Sequence, residues 1–198
     1  MALDAKGYFN CLKSYLNTKH YGVSCPIGEL VLEEKLHTST GHRKQTLKLN
    51  VEGDVILIKL DVKSPKGSTP PLFHFLDDEA KPWSRRCDFV IFNLRKNKIF
   101  VYCIEFKSET IPHDVSAQLD SSLAWCKALH AAIFAYTGKR NKFFVTKYVC
   151  SNSPTVQIYL DEDGKYLKRD HTVRHYLYHE IEKTNLADLE NENIDTIR

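Results

Sequence analysis

Glu105-Phe106-Lys107 closes the apolar run VYCIEFK (101–107), so a carboxylate and an ammonium stand one residue apart where a buried strand is expected. Residues two apart on a strand face the same side, so Glu105 and Lys107 point together and Phe106 points away. A second acid, Asp88, opens the apolar run DFVIFNL (88–94), and Arg95-Lys96-Asn97-Lys98 separates the two runs. Asn97 tolerates the backbone of a tight reversal. An even-membered turn centred between Lys96 and Asn97 pairs positions whose numbers sum to 193. Asp88 then lies opposite Glu105, with Cβ atoms roughly 4.5–5.5 Å apart. An odd loop or a bulge breaks this register.

Two carboxylates at that spacing repel, and ionising both in apolar surroundings is costly unless a cation sits between them. A divalent ion resolves the conflict, and oxygen ligands suit Mg²⁺ or Mn²⁺. Such an ion acidifies water and stabilises charge on a pentavalent phosphorus, while Lys107 orients the water or neutralises charge. Other acid-any-lysine triplets do this less well. Glu33-Glu34-Lys35 and Glu79-Ala80-Lys81 lie in polar or helical surroundings, and Asp163-Gly164-Lys165 lies in a turn. Asp61-Val62-Lys63 has Asp54 as its nearest second acid, ~23 Å away along an extended strand.

The elements that must position these groups follow from periodicity. Residues 4–17 carry Tyr8, Phe9, Leu12, Tyr15 and Leu16 at helical spacing behind Asp4. Residues 26–36 fit a helix starting at Pro26, or partly a strand. Residues 45–50 and 55–62 flank Glu52-Gly53-Asp54 and read as a hairpin, and 64–72 is the most loop-like stretch. After the two runs that carry Asp88 and Glu105 comes a helical pattern over 113–137. Strands are expected at 141–150 and 155–160, and a final helix at 170–183 with His171, His175 and His179 on one exposed face. The order strand–strand–helix–strand predicts an α/β protein: a mixed central sheet flanked by helices.

Asp88, Glu105-Phe106-Lys107 and a following helix with Gln118 resemble the PD-(D/E)xK nuclease superfamily, over residues 85–150. The resemblance implies a restriction-endonuclease-like core in which Asp88, Glu105 and the Phe106 carbonyl ligate metal. Lys107 is then the catalytic lysine, with Gln118 beside it. An N-terminal glutamate often completes such sites; Glu29, Glu33 and Glu34 are candidates, Glu29 being preferred. Two departures stand out. Cys87 rather than proline precedes Asp88, and Ser122 interrupts the Gln-xxx-Tyr pattern of RecB-like exonucleases. The resemblance implies a Mg²⁺-dependent nuclease, a DNA endonuclease with RNA not excluded, working as a homodimer or with a partner protein. Restriction or anti-phage defence is its usual setting. The alternative is a non-catalytic nucleic-acid-binding or scaffolding module with the same fold.

Composition sets the outer bounds. The chain has 198 residues, 42% hydrophobic and 27% charged, enough for a single domain with a core. No run approaches the ~18 apolar residues of a membrane span, and the first residues lack a signal-peptide pattern, so a cytoplasmic protein is expected. Six cysteines without a CxxC pair read as reduced thiols. Net charge is +3, but residues 180–198 carry six acids and two bases. The expected division is a nuclease-like domain over 1–184 and a polar acidic tail over 185–198. The remaining positive excess suits a polyanionic partner.

Overall fold

The computed structural model describes residues 4–38, 41–62, 71–73, 76 and 82–198. The loop-like stretch 64–70 and the triplet 79–81 lie outside the described residues. The fold is α/β, with a mixed multi-stranded sheet and three α-helices among the described residues.

Helix α1 (Ala5–Tyr15) starts where the Asp4 side chain accepts the Gly7 N–H at 2.6 Å. Tyr8, Phe9 and Leu12 make its buried face. The main sheet is built from β1 (Gly22–Ser24), β4 (Asp54–Lys59), β5 (Phe89–Arg95), β6 (Lys98–Phe106), β7 (Phe143–Ser151), β8 (Tyr166–Leu167) and β9 (Asp170–Leu177). Its order is β1-β4-β5-β6-β7-β9-β8, and β10 (Asp195–Ile197) also pairs with β7. Strands β4, β5 and β6 run antiparallel. Helix α2 (Val115–Thr137) then crosses over, and β7 returns parallel to β6. Gly138 ends α2 in the left-handed conformation, its N–H reaching the Phe134 carbonyl at 2.8 Å.

Strands β5 and β6 are buried on both faces, which is why they read as continuous apolar runs. One face, with Val90, Phe92, Val101 and Cys103, packs against α1 and α2. The other, with Phe89, Ile91, Ile104 and Phe106, packs under a separate hairpin of β2 (Glu29–Thr38) and β3 (Gly41–Asn50) and under α3 (Tyr178–Ile181). The hairpin is held down by Leu30, Leu32, Leu47 and Leu49, all at 0% exposure; each stabilises by about 2 kcal/mol.

Of the two readings of 26–36, the strand is the one that forms: residues 29–38 are β2, because Leu30 and Leu32 alternate toward the core and find Leu49 and Leu47 opposite. Other expected elements differ. The expected hairpin between 45–50 and 55–62 does not form: β3 pairs with β2, and β4 with β1 and β5. Gly53 instead carries the chain from one sheet to the other; at φ 79° a Cβ there would sit 2.2 Å from the Leu94 carbonyl oxygen. Residues 156–159 form a 3₁₀ turn rather than a strand. The expected helix at 170–183 is β9 followed by the single turn α3, so His171, His175 and His179 share no helix face. His175 is buried against Ser151 at 2.9 Å. The acidic segment 185–198 lies on the body of the protein, with Leu186, Leu189 and Ile197 buried and β10 joined to the sheet. No helix among the described residues is long and apolar enough to cross a membrane.

Candidate active site

Lys96 and Asn97 form the two-residue turn between β5 and β6, with φ of 49° and 55°. Two successive left-handed residues are the signature of the tightest hairpin connection. The ladder above it runs from Arg95↔Lys98 to Phe89↔Ile104 without a shift. Asp88 lies one residue beyond Phe89, just outside β5, and Glu105 one residue beyond Ile104. Two hydrogen bonds tie the segments: the Asp88 N–H donates to Glu105 Oε2 at 3.0 Å, and the N–H of Phe106, the residue after Glu105, donates to Asp88 Oδ2 at 2.7 Å.

Lys107 joins them. Its ammonium forms an ion pair with Glu105 and donates to Gln118 Oε1 at 2.9 Å. Its backbone is fixed from both sides, the N–H by the Cys150 carbonyl at 2.8 Å and the carbonyl by the Tyr178 hydroxyl at 3.0 Å. Gln118 lies in the first turns of α2, so the crossover between parallel strands brings the glutamine to the end of β6. Asp88, Glu105, Lys107 and Gln118 therefore meet at one end of the central strands β5 and β6.

Ser122 has a role that sequence reasoning missed. Its hydroxyl accepts the Cys87 N–H at 2.8 Å and donates to the Gln118 carbonyl at 3.1 Å. It ties the residue before Asp88 to the turn that carries Gln118. The i to i+4 spacing of Gln118 and Ser122 was the available signal.

Electrostatics mark the pair as incomplete. Burial pushes Glu105 up to about 7, outweighing the Lys107 charge, and Glu34 pushes it in the same direction. Burial and then the charge of Glu105 hold Asp88 well above the usual carboxylate range. At neutral pH the pair lacks the positive charge it needs to ionise fully.

The pair opens into a cavity of about 840 Å³ lined also by Glu34, Lys59, Asp61, His37 and His42. Glu34 arrives from β2, held by Lys59 at 2.6 Å. Asp61, set aside on sequence grounds, lies on the cavity wall. Glu29 is not brought to the site. It is exposed, pairs with Lys48 at 3.5 Å, and sits five residues from Glu34, ~17 Å along the strand. Among the N-terminal glutamates, Glu34 is the one that reaches the cavity.

The residues present fit a hard divalent ion. Asp88 and Glu105 are two converging carboxylates short of positive charge, and Mg²⁺ commonly binds through one or two protein carboxylates with waters filling the rest. Among the described residues no group of three or more His, Cys, Asp or Glu side chains closes around an ion position. The Phe106 carbonyl, between Glu105 and Lys107, is the further donor expected from the sequence. Comparison with protein-family models, curated proteins and solved structures finds no match to this chain.

Proposed function

We propose that this chain is a metal-dependent nuclease of the PD-(D/E)xK kind that hydrolyses phosphodiester bonds in nucleic acid, with DNA as the first substrate to test. The observation that carries the reading is the Asp88–Glu105 pair beside Lys107 on the wall of one cavity, with Gln118 hydrogen-bonded to that lysine. The mixed sheet flanked by helices supports a restriction-endonuclease-like core.

In this reading Asp88 and Glu105, with the Phe106 carbonyl, hold Mg²⁺ or Mn²⁺. The ion supplies Lewis acidity toward the phosphate and its attacking water. Lys107 stands against Glu105 and is aimed by Gln118. Its ammonium donates to the attacking water or to the phosphate oxygen where negative charge grows. The water gives up its proton to solvent as it adds to phosphorus, the P–O3′ bond breaks, and the leaving oxygen takes a proton from solvent. Ser122 keeps Asp88 in register with Gln118 and is a positioning residue.

The test is incubation of the purified protein with plasmid and with single-stranded oligonucleotides in Mg²⁺ or Mn²⁺, beside Glu105→Ala and Lys107→Ala. Cleavage by the wild type alone supports the proposal. Equal cleavage by the variants, or none with any divalent ion and any nucleic acid, overturns it in favour of a binding or scaffolding module.

A further inference from the structure

At the turn end of β5 and β6, seven residues from Glu105 and ~24 Å away along the strand, lies a second arrangement that the cleft does not use. The rings of Phe100 and Phe144 lie side by side on neighbouring strands, centroids 5.5 Å apart. Both are partly exposed. Cations cover them: Arg95 over Phe100 at 4.2 Å, Lys142 over Phe144 at 4.5 Å, and Lys98 over the same ring at 5.5 Å. Lys96 stands exposed in the turn beside them.

Four positive residues thus gather on one small patch. Among the described residues, none of the ion pairs of 4.0 Å or less involves Arg95, Lys96, Lys98 or Lys142. Arg95 donates to the Tyr102 hydroxyl at 3.4 Å, while its Nε is buried without a hydrogen-bond partner. Glu52 and Asp54 flank Gly53, whose backbone packs against Leu94 and Arg95, yet neither forms an ion pair with Arg95. Like charges held together in this way repel, and the ring faces fix them in place through cation–π attraction. An extended anion relieves that repulsion at several points at once.

We propose that this patch is a distal anchor for the phosphate backbone of a nucleic-acid strand whose other part lies in the cleft. The rings hold the cations at defined positions, and Arg95, Lys96, Lys98 and Lys142 meet successive phosphates. The choice of nucleic acid as occupant rests on the nuclease reading. The patch and the carboxylates sit at opposite ends of the same two strands, and Phe100 and Glu105 project from opposite faces, so a bound strand has to pass round the sheet to meet both. A strand long enough to reach both gains affinity; a short one occupies the cleft alone.

The experiment measures binding of labelled single-stranded oligodeoxynucleotides of about 20 and about four nucleotides by anisotropy, with Ca²⁺ in place of Mg²⁺, across a salt series. It compares wild type with Lys98→Glu/Lys142→Glu and with a control of equal charge change, Lys13→Glu/Lys127→Glu, at exposed helical positions. Circular dichroism checks that each variant is folded. The proposal expects at least about a tenfold loss for the long oligonucleotide in Lys98→Glu/Lys142→Glu. Its salt slope should fall by about 0.7 for each phosphate left without its cation. Short-oligonucleotide binding and hydrolysis should stay unchanged.

An unchanged affinity for the long oligonucleotide overturns the proposal. So does an equal loss in the control, an equal loss for the short oligonucleotide, or tighter binding to phosphatidylserine vesicles than to nucleic acid. The two readings separate cleanly. Length-dependent binding without hydrolysis sinks the nuclease and keeps the anchor, whereas hydrolysis with unchanged long-strand binding does the reverse.

Discussion

Two clusters in this protein combine two acids with one lysine, and they behave in opposite ways. In the first, Asp88, Glu105 and Lys107 meet at one end of β5 and β6. Both acids are pushed up in pKa, because burial of each, with the charge of Glu105 on Asp88 and of Glu34 on both, exceeds what one ammonium offsets. In the second, Lys147 on β7 joins Asp120 of α2 at 2.8 Å and Asp170 of β9 at 3.4 Å. There burial works against the charges and loses. Hydrogen bonds from Thr172 and the Lys147 charge hold Asp170 below the usual carboxylate range, and the two acids raise Lys147. The second cluster, with Asp120 solvated and Asp170 hydrogen-bonded by Thr172, works as a strut between helix and sheet. The first has only Lys107 to offset two desolvated carboxylates. A buried ion pair alone therefore says little about function, whereas an unbalanced one points to a missing partner.

The largest test of this contrast is catalytic. Glu105→Ala and Lys107→Ala should each reduce cleavage at least a hundredfold, roughly the loss seen when one group that stabilises transition-state charge is removed. Lys147→Met should leave the rate of the folded enzyme near wild type, and comparable losses in both clusters would erase the distinction.

Stability should invert that order. Lys147→Met leaves Asp170 without its cation and should cost about 2–3 kcal/mol in urea unfolding. That is below the 3–5 kcal/mol of a fully buried broken pair, because Asp120 is 58% exposed.

The third test is pH. In metal-free protein Glu105 has a folded pKa near 7 against a reference of 4.5. The folded state keeps a proton that the unfolded state gives up, so this group's contribution falls as pH rises from 4.5 to 7. The loss is on the order of 3 kcal/mol. His175 works the other way: burial depresses it to about 4 from 6.5, so its contribution rises with pH across that window. The difference between wild type and Glu105→Gln isolates the carboxylate. Mg²⁺ or Mn²⁺ should raise the melting temperature more at pH 8 than at pH 5 in wild type. An equal rise at both pH values would count against a metal on this pair.

Smaller effects sharpen the edges of the site. Ser122→Ala removes the acceptor of the buried Cys87 N–H and should cost about 1–2 kcal/mol, with a modest fall in kcat as Asp88 loosens. Glu29→Gln should change cleavage by less than about twofold, since exposed pairs contribute little; Glu34→Gln should change it more.

The site was more legible than the frame around it. Asp88 and Glu105 were readable as partners because β5 and β6 are local neighbours joined by a short turn, so arithmetic on positions suffices. The hairpin of β2 and β3 was not, because ELVLEEKL is rich in good helix formers and only the leucines opposite make it a strand. The TVQIYL and β9 segments failed for a related reason: their partners are far away in sequence. Ser122 was visible only as a departure from a pattern, and its function needed Cys87 in space.

The reversal at Lys96-Asn97 carries a consequence for how this chain tolerates change. Substituting either residue alters local strain, but adding or deleting one residue there slides an entire strand past its neighbour. Every rung would be misnumbered by one, and Glu105 would present to the wrong layer of the protein about 27 Å from the lesion. A length change at the far tip thus disarms the chemistry more surely than most point mutations beside it.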